Sequence, residues 1–421
     1  MSTAEWNDAR TVHEIAVRQS STLPCFHCHK QLLQHRGGAV VSEVRLSAPS
    51  SQDVLMPDPH ARVAAAVTVV GRLHQLMFDD LDNTRGGFGW WHGHLGQAHT
   101  IFASDYLLQI TGQIGSCLRT AAWHELEFRE QVFADTEWYR RNATSGPSPI
   151  AERGPAERRR EHRIDAAVAG FFTSCGSALD AIAGAAIGVL SLRTDLVTAS
   201  WGSMKKACSG TDKERDKLLA PAGTEAQEMQ EKALRAILDV AEQDPHGWLP
   251  WTLSMRNTLV HRAHRFTVHH LHWTDRRRNQ LAHTVHLPRD PQLTDIEAFA
   301  IGTKVHDMLL PEHAGDTMAG VLDQLVALAS TAGAELEAVW QRRRGQPDLL
   351  RQATEQWPEL YPRKRDLSGF AGFGGTTELG KGPSASEDSM HVSPQAGRRF
   401  AAARILDGNQ AFWQAQFTKG T

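Results

Sequence analysis

The segment Trp251-Thr-Leu-Ser-Met-Arg256-Asn257-Thr-Leu-Val-His261-Arg262 sets a guanidinium, a carboxamide and an imidazole close together on one stretch of chain. Histidine titrates near neutral pH, so His261 can take or give a proton in a reaction run at physiological pH. Arginine stays charged and grips phosphoryl oxygens through a planar fork, so Arg256 suits charge that develops on a phosphate. On a helix Asn257 and His261 are four positions apart and share a face, which lets the amide fix the imidazole's orientation. Arg256 and His261 are five apart and point away from each other by about 140° at 3.6 residues per turn. A single helix therefore does not bring both onto one phosphate, whereas two copies related by an axis can. The structural alternative is an Arg paired with a carboxylate and a His that satisfies a buried acceptor.

This motif resembles that of the HEPN superfamily of helical proteins, in which a few residues separate an Arg from a His and a polar residue, often Asn, lies between. Here four residues, Asn257 to Val260, separate them. The surroundings resemble the family as well: a small-residue central helix, the motif helix, then more helix. The resemblance covers about residues 157–344. It implies a HEPN-type antiparallel helical bundle and a metal-independent endoribonuclease with Arg256, Asn257 and His261 in the catalytic site. It also implies a homodimer, no cofactor, and a role in toxin–antitoxin or antiviral defence systems with an antitoxin protein as partner. Asp180, the one charge on the small-residue helix, is a candidate to support Arg256. The main rival is a non-catalytic HEPN-like module that holds a partner or a nucleotide.

An RNA surface is legible around the motif. From His246 to Asp290 there are seven Arg against two Asp, and His264, His269, His270, His272, His283 and His286 lie in the same stretch. Arg262, His264, Arg265 and Trp273 are the RNA-binding candidates, the tryptophan by stacking on a base. The plain reading of Arg276-Arg277-Arg278 is a solvated turn. A second alternative is a metal-dependent, histidine-rich protein. His270 and His272 share a strand face and would meet His283 or His286 across a hairpin. Cys25, Cys28 and His29 have zinc-like spacing, but a single Cys pair is a weak signal. Gly369–Gly375 lacks the Lys-Ser/Thr of a phosphate loop.

The bulk composition narrows the field. A net charge of −3 over 421 residues provides no global attraction to nucleic acid, so any basic site is local. Five cysteines, odd and scattered, argue for a reducing compartment, and the first twenty residues lack the apolar core of a signal peptide. The expected location is the cytoplasm. Ala166–Leu190 carries Asp180 as its one charge, yet Ala, Gly, Ser and Thr make it too weakly apolar for lipid, so a buried helix is expected and no membrane partner.

The elements that must position the motif follow from periodicity. Residues 1–57 read as an irregular segment, with a short strand at Val40–Leu46. Residues 58–145 read as a helical N-terminal region, one helix starting at Pro59 and a longer one from Gln97 to Arg141. Ser145–Pro149 reads as a linker. Residues 157–345 form the HEPN-like domain. Ile164, Val168, Phe171, Phe172, Cys175, Leu179, Ile182, Ala186 and Val189 make one apolar stripe. Gly170, Thr173, Ser177, Gly184 and Gly188 line a small face that admits a second helix. Thr224 with Gln227, and Thr294 with Glu297, are capping boxes. The motif helix runs from Trp248 to Arg265. Phe266–Trp273 and Gln280–Leu287 alternate as a hairpin. Met318 to Trp340 mark the last long helix, closed by Arg342–Arg344. Residues 346–421 form a low-complexity tail with a short helix at Arg398–Phe417. The expected fold class is mainly α, with a small β-hairpin.

Overall fold

The computed structural model describes residues 14–17, 58–81, 97–142, 153–196, 198–261, 268–275, 280–301 and 304–350. The order of elements is β1 (Glu14–Val17), α1 (Pro59–Leu81), α2 (Gln97–Asn142), α3 (Pro155–Val189), α4 (Trp201–Ser209), α5 (Asp212–Leu218), α6 (Glu225–Ala241), α7 (Trp248–His261), β2 (Val268–Asp275), β3 (Gln280–His286), α8 (Asp295–Ala300), a 3₁₀ turn (Val305–Met308) and α9 (Ala314–Gly345). The fold is mainly α with one small antiparallel sheet of order β1-β2-β3. The strand at Val40–Leu46, the linker and the tail beyond Leu350 lie outside the described residues.

The chain divides into two compact units, each assembled from separated stretches. The first holds the sheet, α8, α2 from Trp123, α3 up to Ala169, α7 from Asn257 and α9 up to Met318. The second holds α1 from Val63, α2 up to Ala122, α3 from Gly170, α4 to α6, α7 up to Arg256 and the rest of α9.

The second unit is built on α3. Phe171, Phe172, Cys175, Leu179, Ile182, Ala186 and Val189 are all buried, as the stripe requires. α1 buries Val63, Ala66, Val70, Leu73 and Met77 at alternating three- and four-residue steps, which keeps them on one face of the helix. Each large side chain so buried contributes about 1.5–3 kcal/mol. The small face of α3 is met by the chain's own α2. A Cβ on Gly184 would fall 2.0 Å from Ile110 Cδ1, and one on Gly188 would fall 2.3 Å from Leu107 Cδ2. Pro155–Val189 is the one described helix long and apolar enough to cross a membrane. Its apolar positions form this core instead.

The end of α3 is closed by side chains from other helices. Arg343 donates to Val189 O at 2.5 Å and to Leu350 O at 3.0 Å. Gln230 of α6 donates to Leu190 O at 2.7 Å. Helix C-terminal carbonyls have no partner within their own helix, and these groups supply one. Asp80, also buried, accepts from Trp340 Nε1 at 2.9 Å and pairs with Arg344 at 3.1 Å.

In the first unit the sheet registers Leu271 against both Glu14 and His283, and His269 against Val285. Leu271, Val285 and Leu287 are buried on the sheet, as are Phe128, Val132 and Tyr139 on α2; Val268 is buried on the opposite face of β2. The Thr294 box forms, with Glu297 N donating to Thr294 Oγ1 at 3.2 Å and Glu297 Oε2 accepting from Thr294 N at 2.8 Å. Three features depart from the sequence reading. The Thr224 box closes by half: Gln227 N donates to Thr224 Oγ1 at 3.3 Å, but Gln227 Oε1 accepts from Gly223 N. Glu14–Val17 is a strand inside the segment expected to be irregular. The short helices α4 and α5 fill a stretch to which no element had been assigned. They are too short for periodicity to register; α4 starts at Ser200, whose Oγ accepts from Ser203 N.

Candidate functional site

Helix α7 opens after Gly247, whose φ of +84° only glycine adopts without strain, and Trp251 N donates to Gly247 O at 3.0 Å. In the second unit, Thr252 and Met255 are buried, and Trp251 packs edge-on to Phe172 with ring centroids 5.4 Å apart. These contacts fix how α7 is rotated and turn Arg256 toward α3. Arg256 Nη2 lies 3.7 Å from Asp180 Oδ2. Its stem crosses α3 where there is no side chain: a Cβ on Gly176 would fall 2.7 Å from Arg256 Cγ. Asp180 also neighbours Tyr106, whose phenol is pushed up by burial first and then by Asp195 and Asp180.

Arg256 belongs to the second unit; Asn257 and His261 belong to the first. There Thr258 Oγ1 donates to Pro291 O at 2.8 Å, and both Asn257 and His261 are exposed to solvent. Trp273 is half-buried on β2, opposite Leu281. Arg262, His264 and Arg265 lie outside the described residues, as do Cys25, Cys28 and His29.

The histidines of the hairpin sort by face. Cross-strand partners in an antiparallel sheet share a face and alternate residues do too. His283 is registered with Leu271, so it shares a face with His269, not with His270 and His272. The rings of His270 and His272 stack at 5.1 Å, with His286 beside His270 at 6.3 Å. Of the two partners expected for His270 and His272, His286 is thus the one on their face.

On the other face a buried polar cluster forms against α2. His269 Nδ1 lies 2.8 Å from His283 Nε2. His283 Nδ1 lies 3.1 Å from Thr136 Oγ1, and the Thr136 hydroxyl donates to Val132 O at 2.8 Å. Asp135 joins the pair; the ligand atoms of Asp135, His269 and His283 all lie within 4.8 Å of one another. Arg153 Nη2 is 3.3 Å from Asp135 Oδ2 and Arg160 Nη1 is 3.5 Å from Oδ1. Arg153 also donates to the Tyr139 hydroxyl and lies over that ring at 4.8 Å. Burial pushes the Arg153 guanidinium down, against the pull of Asp135. The sequence reading missed Asp135, Thr136 and Arg153. One signal was available, the adjacent Asp-Thr on a long helix, but only the strand register shows which histidines it meets.

Compared with family models, curated proteins and solved structures, the chain matches none.

Proposed function

We propose that the protein is a metal-independent endoribonuclease of the HEPN kind, acting as a homodimer in the cytoplasm within a toxin–antitoxin or antiphage system. The observation that supports this reading is the Arg256–Asp180 pair in the second unit; Asn257 and His261, exposed in the first, follow Arg256 in the chain. Arg256 is steered by a carboxylate while the amide and imidazole face solvent, where a polymer substrate can reach them. In the reaction, His261 takes the proton of an RNA 2′-hydroxyl and the 2′-oxygen bonds to the adjacent phosphorus. The bond to the 5′-oxygen then breaks, and that oxygen leaves with a proton. The products are a 2′,3′-cyclic phosphate and a 5′-hydroxyl. Arg256 stabilises the charge on the phosphoryl oxygens, a contribution that is largest where water is excluded.

The helical angle of about 140° between Arg256 and His261 supports a site shared between two chains, with one residue drawn from each. The small face of α3 does not serve as the dimer contact at Gly184 and Gly188, because the chain's own α2 fills it there.

The test is cleavage of a structured RNA by the purified chain, with folding followed by circular dichroism in the same sample. His261→Ala and Arg256→Ala should each lower the rate by about 10²–10⁴-fold. Cleavage should persist in chelator for as long as the protein stays folded. Undiminished cleavage by folded His261→Ala protein, or loss of cleavage in chelator from protein that is still folded, overturns the reading.

A further inference from the structure

The geometry points to a divalent-metal site formed by Asp135 of α2, His269 of β2 and His283 of β3, independent of the RNA reading. All three side chains are buried, at 0, 3 and 8% exposure. They come from three separate elements and converge to within 4.8 Å. Two imidazoles and one carboxylate are the donors preferred by first-row divalent ions, zinc among them.

The hydrogen bonds of the cluster suit a neutral ligand imidazole. A hydroxyl has one proton, and Thr136 gives its own to Val132 O. It then accepts from His283 Nδ1–H, and in the neutral ring this leaves the Nε2 lone pair aimed at His269 Nδ1. A ligand histidine is held in this way, with its other ring nitrogen donating to a fixed acceptor. Zinc–nitrogen bonds of about 2.0–2.1 Å set two tetrahedral ligand nitrogens about 3.3 Å apart. The two rings, now 2.8 Å apart at those atoms, need to separate by about half an ångström.

The two guanidiniums on Asp135 weigh against tight binding, since they place positive charge beside the ion. They do not exhaust the carboxylate, which has about four acceptor positions. Glu161, 3.5 Å from Arg153 Nη1, offsets part of their charge. With three ligands on α2, β2 and β3, the ion would tie the hairpin to the helix it packs against. The competing occupant is a proton shared directly between His269 and His283, which accounts for the ring pair but gives Asp135 no part in it.

The experiment strips the full-length chain with chelator, then titrates zinc against a chelating dye and cobalt by its visible spectrum. The unaltered protein should take up one ion here, with the cobalt band of a tetrahedral nitrogen and oxygen set and no thiolate charge-transfer band. His269→Ala and Asp135→Ala should each weaken binding by roughly 100-fold or more, beyond the 10–100-fold that a supporting contact carries. His272→Ala, on the opposite face, and the double change Cys25→Ser with Cys28→Ser should leave it unchanged. Failure of the unaltered protein to bind either ion overturns the site, as does binding that survives His269→Ala or a thiolate signature. Where an alanine variant does not fold, His269→Gln, which keeps the buried volume, takes its place with the same expected loss of binding. The readout is metal uptake, so its failure is distinct from failure of RNA cleavage.

Discussion

Asp180 Oδ2 stands 3.7 Å from Arg256 Nη2, with the two side chains 38% and 30% exposed. A pair this exposed contributes only about 0–1 kcal/mol to stability. Its effect is on direction. Asp180→Asn should therefore change the unfolding free energy by less than about 1 kcal/mol in urea. It should lower single-turnover RNA cleavage by about tenfold, the equivalent of about 1.4 kcal/mol of lost positioning. Equal losses of stability and activity would assign the pair to the fold alone.

Gly176 provides an orthogonal handle on the same arginine. A Cβ there would fall 2.7 Å from Arg256 Cγ and 3.2 Å from its Cδ and Nε, so Gly176→Ala must push the stem aside. The expected cost in stability is about 1–3 kcal/mol, as for other overpacked positions. Cleavage should fall as far as in Arg256→Ala without any change to the charged group. Retention of full activity would show that the stem's path across α3 is immaterial.

Mixing two inactive proteins tests the two-chain site. A heterodimer of Arg256→Ala and His261→Ala chains holds both lesions in one cross-chain site and none in the other. In an equal mixture half the dimers are mixed, each with one whole site of two, so about a quarter of wild-type activity should return. No recovery, with subunit exchange shown by mass spectrometry, places both residues of a site on one chain.

Arg343 is fully buried, and burial pushes its guanidinium down to about 9, so it is still charged at pH 7. Arg343→Met fills the space but leaves Val189 O and Leu350 O without that donor. Each buried unsatisfied carbonyl costs about 1–3 kcal/mol, so a loss of about 2–6 kcal/mol is expected by urea denaturation. A change below about 0.5 kcal/mol would mean that the carbonyls find other donors.

His313 carries a pH dependence of stability. Burial pushes its imidazole below the usual value, and its Nδ1 lies 3.1 Å from Val285 N. A depressed histidine pKa means the unfolded chain binds the proton more readily. The stabilisation is therefore complete above about pH 6.5 and is lost as pH falls below it, toward the folded-state value. Urea midpoints measured from pH 7.5 to 5 should fall, and His313→Gln should flatten the curve. An unchanged slope in His313→Gln would pass the effect to other groups, the half-buried His124 first among them, which burial also pushes down.

The long helices were legible because their signals are long. The stripe from Ile164 to Val189 repeats often enough to set both the existence and the buried face of α3, and Thr224 and Thr294 mark helix starts by chemistry confined to a few residues. The approach of Asp180 to Arg256 was legible as a candidate, since one charge on a small-residue helix needs a partner. The gap at Gly176 that lets Arg256 through was not, because a glycine among small residues does not announce which neighbour uses it. The cluster at Asp135 was hidden for a different reason. Asp135 is more than a hundred positions from either histidine, and a one-residue change in hairpin register would exchange His283 for another side chain on that face.

Both compact units draw on segments scattered along the chain, and each waits for α9: the first for its residues up to Met318, the second for the remainder. On a ribosome that releases the chain from its N-terminus, neither unit can close early while the other is still being made. Until α9 emerges, α3 presents its row of Phe171, Phe172, Leu179 and Ile182 with part of its final covering missing. Neither half can reach its native packing before residues of α9 have been added, so the two become able to close within one short span of chain growth.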